Sequence, residues 1–185
     1  MPYLGYIIGA LVLLLIIWFI GAYNGFVKLR NKVEEAFATM DVYLKKRYDL
    51  IPNLVETVKG YAKHESETLQ KVISARNMAA NATTTEEKVA GENMLQGTLK
   101  SLFAIAESYP DLKANTEFLN LQGQLSEMEA DIANSRKYYN AVVKEFNTKI
   151  EVFPSNIIAG IFKFTRKTMF EVEEAEQRQN VKVQF

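Results

Sequence analysis

The sequence predicts an all-α protein: an N-terminal transmembrane helix followed by an antiparallel, up-and-down bundle of about four long helices. Three observations carry that expectation. Residues 4–22 form an apolar run without a single charge, apolar residues from Phe26 to Phe153 recur at spacings of three and four, and the interruptions between these stripes are short. No internal repeat, low-complexity tract or strand-length alternation precedes residue 181.

Composition narrows the function before any motif is considered. A chain of 185 residues has room for one domain plus an appendage. Lys+Arg and Asp+Glu both number 22, so there is no basic excess of the kind that neutralises a phosphate backbone, and no nucleic-acid partner is expected. Cysteine is absent, which removes disulfides, thiolate metal sites and thiol nucleophiles together.

The first element is the anchor. Residues 4–22 at about 1.5 Å per residue match roughly the hydrocarbon thickness of a bilayer. Tyr3 and Tyr6 at one end and Trp18 and Tyr23 at the other resemble the two aromatic belts. A cleaved signal peptide would carry a basic n-region and a small-residue cleavage site. No Lys or Arg precedes Leu4, and Ile20-Gly21-Ala22 is a poor cleavage site, so the run is read as a permanent span. Lys28, Arg30 and Lys32 follow it closely, and the positive-inside rule then leaves residues 1–3 outside and places the larger C-terminal part in the cytoplasm. Gly5 and Gly9 have the Gly-x-x-x-Gly spacing that packs two spans together, which admits a homo-oligomer.

The soluble region, residues 23–153, reads as four helices. Phe26, Leu29, Val33, Phe37, Met40 and Leu44 form one stripe, and the first helix is expected to end near Lys46. Lys45, Lys46 and Arg47 suit the negative end of a helix dipole, Asp49 suits the positive end of the next, and Pro52 fits a first turn, so a reversal is expected here. Ile51, Val55, Val58, Ala62, Leu69 and Val72 then continue a second helix to about Ala80, with Glu65 on its seam. After a polar turn over 81–85, Thr84-x-x-Glu87 has the capping-box form and opens a third helix, which Ser108-Tyr109-Pro110-Asp111 ends. The fourth shows the most regular seam: Phe118, Leu121, Leu125, Met128, Ile132, Ser135, Tyr139, Val142, Phe146, Ile150 and Phe153 step by three and four until Pro154 stops them, as in a coiled coil. A tail, residues 154–185, follows with a short amphipathic helix.

Catalytic constellations are not evident. The single histidine, His64, lies beside Glu65 and Glu67, but a di-iron bundle needs two histidines and further carboxylates, and a zinc site lacks the usual ligand spacing. There is no Gly-x-Ser-x-Gly, Walker loop or Gly-x-Gly-x-x-Gly. No catalytic residue, metal ligand, cofactor or small-molecule substrate is therefore expected. Arg47, Asp49, Asn53, Glu56, Lys59 and Lys63 form the densest polar group, either a solvated face laced by ion pairs or a recognition surface. The tail group Ile157, Ile158, Ile161, Phe162, Lys163, Arg166 and Lys167 also admits two readings, docking on the bundle or lying on anionic lipid.

The run from Tyr23-Asn24 through Leu29-Arg30-Asn31, Met40-Asp41-Val42 and Arg47-Tyr48-Asp49-Leu50-Ile51-Pro52-Asn53-Leu54-Val55 to Tyr61-Ala62-Lys63-His64-Glu65 strongly resembles the LemA family of bacterial membrane proteins. The resemblance continues at Ala75-Arg76, Arg136, Tyr138-Tyr139-Asn140, Phe146-Asn147, Phe153-Pro154 and Phe170-Glu171. Asn180 departs from the Pro expected before the closing Val-x-Phe. The resemblance implies a short extracytoplasmic N-terminus, one span in the bacterial cell membrane and a cytoplasmic helical bundle without established catalytic activity. Its members in magnetosome formation imply, by analogy, a role in organising membranes. The expected function is a non-enzymatic scaffold or adaptor with an unidentified protein partner; the alternative is a self-assembling membrane-organising or membrane-shaping protein, and behind it comes a metal-dependent enzyme using His64 and nearby carboxylates.

Overall fold

The computed structural model describes residues 3–171, and these contain six helices and no strand: α1 (Tyr3–Tyr61), α2 (Ser66–Asn81), α3 (Thr85–Ala106), α4 (Pro110–Lys113), α5 (Thr116–Glu151) and α6 (Ser155–Ile161). The all-α expectation holds. Glu173, Asn180 and the closing Val181–Phe185 lie outside the described residues.

The largest difference from the sequence reading is at the expected reversal. The chain does not turn near Lys46; α1 runs through Lys46 and Pro52 to Tyr61, and the turn falls at residues 62–65. A proline inside a helix removes the N–H that would bond four residues back and costs about 3 kcal/mol. Here the carbonyl left over belongs to Tyr48, and Arg76 of α2 donates its Nε–H to that oxygen at 3.0 Å. Burial supplies the rest, since Leu44, Ile51, Leu54 and Val58 are all fully buried along one side of the same stretch. The charges that suggested a helix end are engaged sideways instead: Lys45 pairs with Asp41 at 2.8 Å one turn back, and Arg47 reaches carboxylates on other helices.

The described residues form two compact units, one of residues 3–40 with 134–169 and one of 41–133 with 170–171. In the first, residues 4–20 are exposed, and their helix is long and apolar enough to cross a membrane. Beyond them Phe26, Val33, Ala36 and Met40 are buried with Tyr139, Val142, Val143 and Phe146 of α5. Phe26 meets Phe146 edge-on, with centroids 6.2 Å apart, and stacks on Phe164 at 4.8 Å. The segment after α6 is tied down by Asn147, whose side-chain amide both accepts from Lys167 N–H at 2.8 Å and donates to Lys167 C=O at 2.9 Å. Tyr139 adds a bond from its hydroxyl to Thr168 C=O at 2.8 Å.

In the second unit the capping box forms as read, with Thr84 Oγ1 accepting from Glu87 N–H and Glu87 accepting from Thr84 N–H. Helices α2 and α3 approach so closely that a Cβ on Gly91 would lie 2.7 Å from Ala79 Cα. The fourth helix does not follow directly on the stop at Ser108-Tyr109-Pro110-Asp111. Residues 110–113 form the separate short α4, and Asn115 starts α5 by accepting from Phe118 N–H at 2.9 Å, an N-cap bond. Along α5, Phe118, Leu121, Leu125 and Ile132 are buried in this unit, and Tyr139, Val142 and Phe146 in the other. Phe153 is not part of the seam: α5 ends at Glu151 and Phe153 is 78% exposed.

Candidate functional site

Arg47 is 2% exposed and therefore leaves the predicted surface. Because α1 continues past it, Arg47 falls in register with Met40, Leu44, Ile51, Leu54 and Val58, every one a core residue. A buried guanidinium needs counter-charge. Arg47 finds it in Glu92 of α3, itself 6% exposed, and in Glu129 of α5. The Tyr48 hydroxyl donates to the second oxygen of Glu92. Burial pushes the Tyr48 phenol up to about 12, against the opposing charge of Arg47, so it remains a proton donor to Glu92. One atom goes unserved, since Arg47 Nε is buried without an acceptor among the described residues.

A second charged group lies in the same unit. Lys88, 7% exposed, pairs with Asp41, which also holds Lys45. Burial alone would raise the Asp41 carboxyl, but the hydrogen bonds and charges of Lys45 and Lys88 outweigh it and hold the group below its ordinary value. Glu92, Lys88, Tyr48, Glu129 and Arg76 were not among the predicted site residues. A signal existed for two of them: Lys88 and Glu92 precede Leu95, Leu99 and Leu102 at spacings of four and three, which places both on the buried stripe of α3.

The other predicted surface residues separate. Asp49 is exposed, with one oxygen 3.9 Å from Arg76 Nη2, and Asn53 is exposed with its carbonyl accepting from Thr57 Oγ1 at 2.9 Å. Glu56 and Lys59 pair at 3.1 Å on the exposed side of α1. These two, together with Lys63, line a groove of about 900 Å³ between the last turns of α1 and the first turns of α2, whose apolar lining includes Val55, Leu69 and Ile73. His64 is exposed in the turn at the end of the groove-bearing helix, and among the described residues no three His, Asp or Glu side chains gather in a way that would hold a metal ion.

The tail residues divide as well. Ile158 is fully buried, whereas Ile157, Ile161 and Phe162 are 50%, 58% and 42% exposed. Phe162 lies against Tyr23 and Phe19 of α1, with ring centroids 4.5 and 5.9 Å away. Arg166 pairs with Glu151. Lys163 and Lys167 line a cavity of about 220 Å³ with Arg30 and Tyr23.

The model of the LemA family matches residues 36–185, beginning beyond the apolar run. The chain is 26% identical over 163 residues to Protein LemA of Metamycoplasma hominis, covering 86% of this chain and 73% of that one. It is 25% identical to Magnetosome protein MamQ 2 of Paramagnetospirillum magneticum and 24% identical to Magnetosome protein MamQ of Magnetospirillum gryphiswaldense. Those alignments cover 83% of this chain and 66% of each relative, so the chain spans just under two thirds of the length of the MamQ proteins it matches.

Proposed function

The chain belongs to the LemA family, and on that premise we propose that it is a non-enzymatic scaffold or adaptor, anchored through residues 4–22 at the inner face of a bacterial cell membrane. That it is a membrane-associated helical protein accords with its apolar helix and its relatives. The observation that favours a scaffold is the groove beside Glu56, Lys59 and Lys63: it is exposed, with an apolar lining and charged edges. Lys28, Arg30 and Lys32, immediately after the span, support the cytoplasmic placement.

The test is a photocrosslinking residue at Lys59 of the full chain in intact membranes. A defined adduct with a second protein is expected, and Ile73→Asp, which places a charge in the groove lining, should abolish it. Adducts that survive Ile73→Asp unchanged, or none from Lys59 while an exposed position on another helix such as Met94 gives them, would sink the groove as the contact. A second reading, a self-assembling membrane-organising protein, is favoured by the magnetosome names of the MamQ relatives. It predicts that the Lys59 adducts contain only this chain.

A further inference from the structure

Three cations of the first unit stand together without an acidic partner among the described residues. Arg30 of α1, and Lys163 and Lys167 of the segment after α6, line one cavity of about 220 Å³ with the hydroxyl-bearing Tyr23 and Thr165. Their neighbours are neutralised, Lys32 by Glu145 at 3.8 Å and Arg166 by Glu151. Like charges held close repel, and a fold that gathers three without a carboxylate presents a site for an external anion. The cavity is smaller than the usual pocket of a drug-sized ligand, about 300–1,000 Å³, and suits a single charged group.

The backbone at this site is strained. Helix α6 ends in a Schellman motif, with Phe164 N–H bonding Ala159 C=O at 2.9 Å and Lys163 N–H bonding Gly160 C=O at 3.3 Å. That motif needs a left-handed residue, normally glycine, yet here it is Lys163 at φ 54°. A lysine in this place gives up backbone ease and gains a side chain at the cavity. Depth is set by Phe162, another lining residue, which rests on Phe19 and Tyr23 at the end of the apolar run. Exposed Ile157 and Ile161 lie on the adjoining helix, available to hydrocarbon.

We propose that this cavity binds the phosphate of an anionic phospholipid headgroup, with Arg30, Lys163 and Lys167 supplying charge and the Tyr23 and Thr165 hydroxyls supplying hydrogen bonds. The proposal rests on the reading of residues 4–22 as a span, which sets the cavity at headgroup level. It is independent of the groove and of any protein partner.

The full chain, delipidated in detergent, is offered phosphatidylglycerol or phosphatidylcholine, and the retained lipid is counted by native mass spectrometry. Preferential retention of phosphatidylglycerol is expected, falling roughly fivefold for each of Lys163→Gly and Lys167→Gln. Arg166→Gln, which removes a cation already paired outside the cavity, should leave the preference intact. Lys163→Gly relieves the left-handed strain, so this variant should melt no lower than the parent while losing lipid. Equal retention of the two lipids, or an equal loss in Arg166→Gln, would overturn the proposal. Displacement of phosphatidylglycerol by inorganic phosphate at matched concentration would assign the site to a soluble anion and equally overturn it. Alkaline extraction of native membranes separates the two layers of the argument, because release of the chain would refute the span whereas lipid counting in detergent reads the cavity alone.

Discussion

Arg76 is predicted to be needed because Pro52 is there. Pro52 deprives the Tyr48 carbonyl of its helical donor, and Tyr48 is 3% exposed, so water does not readily replace it. Removing the guanidinium by Arg76→Met leaves a buried acceptor unmet, a loss of about 1–3 kcal/mol. The Arg76 side chain is 27% exposed, and its second partner, Asp49, is 81% exposed at 3.9 Å and contributes little, so the lower half of that range applies. Pro52→Ala restores the backbone N–H, and in that background Arg76→Met should cost only a few tenths of a kcal/mol. The double-mutant cycle therefore yields a coupling of about 1 kcal/mol or more. The measurement is denaturant unfolding of the four full-length chains in detergent, followed by far-ultraviolet circular dichroism. Equal losses from Arg76→Met with Pro and with Ala at position 52 would refute the reasoning.

The buried ion group gives a second cycle. Arg47→Met strands Glu92 at 6% exposure and should cost about 3–5 kcal/mol, whereas Arg47→Met with Glu92→Leu should recover most of that loss, as read from the same unfolding curves. Tyr48 predicts an alkaline effect with a definite sign. Its folded value of about 12 lies above its ordinary 10.0, so its stabilisation is complete below pH 10 and is lost as pH rises through 12. The stability difference between the parent and Tyr48→Phe should accordingly shrink over that window; a constant difference would contradict it.

Periodicity made the stripes legible, and the capping box at Thr84 and Glu87 was readable because its chemistry is local. The reversal at Pro52 was misread for a physical reason. Proline, a cationic run and an acidic residue make a sound local case for a helix end, and what overrode it is a hydrogen bond from Arg76, 28 residues away. Arg47 was assigned to the surface by its charge although its spacing from Leu44 and Ile51 put it in the core stripe. Lys88 and Glu92 hid in the same way. The Asn115 cap was readable as Asn-Thr-Glu ahead of Phe118, but the longer seam obscured it. Of the predicted surface, Glu56 and Lys59 share the groove because a three-residue step keeps them on one side of α1, and Lys63 joins them from the turn that follows. The cationic cavity draws Arg30 from one end of the sequence and Lys163 and Lys167 from the other, and no spacing rule joins residues so far apart.

The contact of Gly91 with Ala79 offers a genetic handle. The atoms a new methyl would meet include the Cα and N of Ala79, at 2.7 and 2.9 Å, and backbone cannot swing aside as a flexible side chain does. Gly91→Ala must force α2 and α3 apart, at a cost of about 1–3 kcal/mol for overpacking. For a domain of ordinary stability that is a large fraction of the margin, enough to lower the melting temperature by several degrees. Such a substitution is the starting point for a temperature-sensitive allele: cells grown cool would keep the protein, and a shift in temperature would remove it at a chosen moment, so that the first process to fail could be timed.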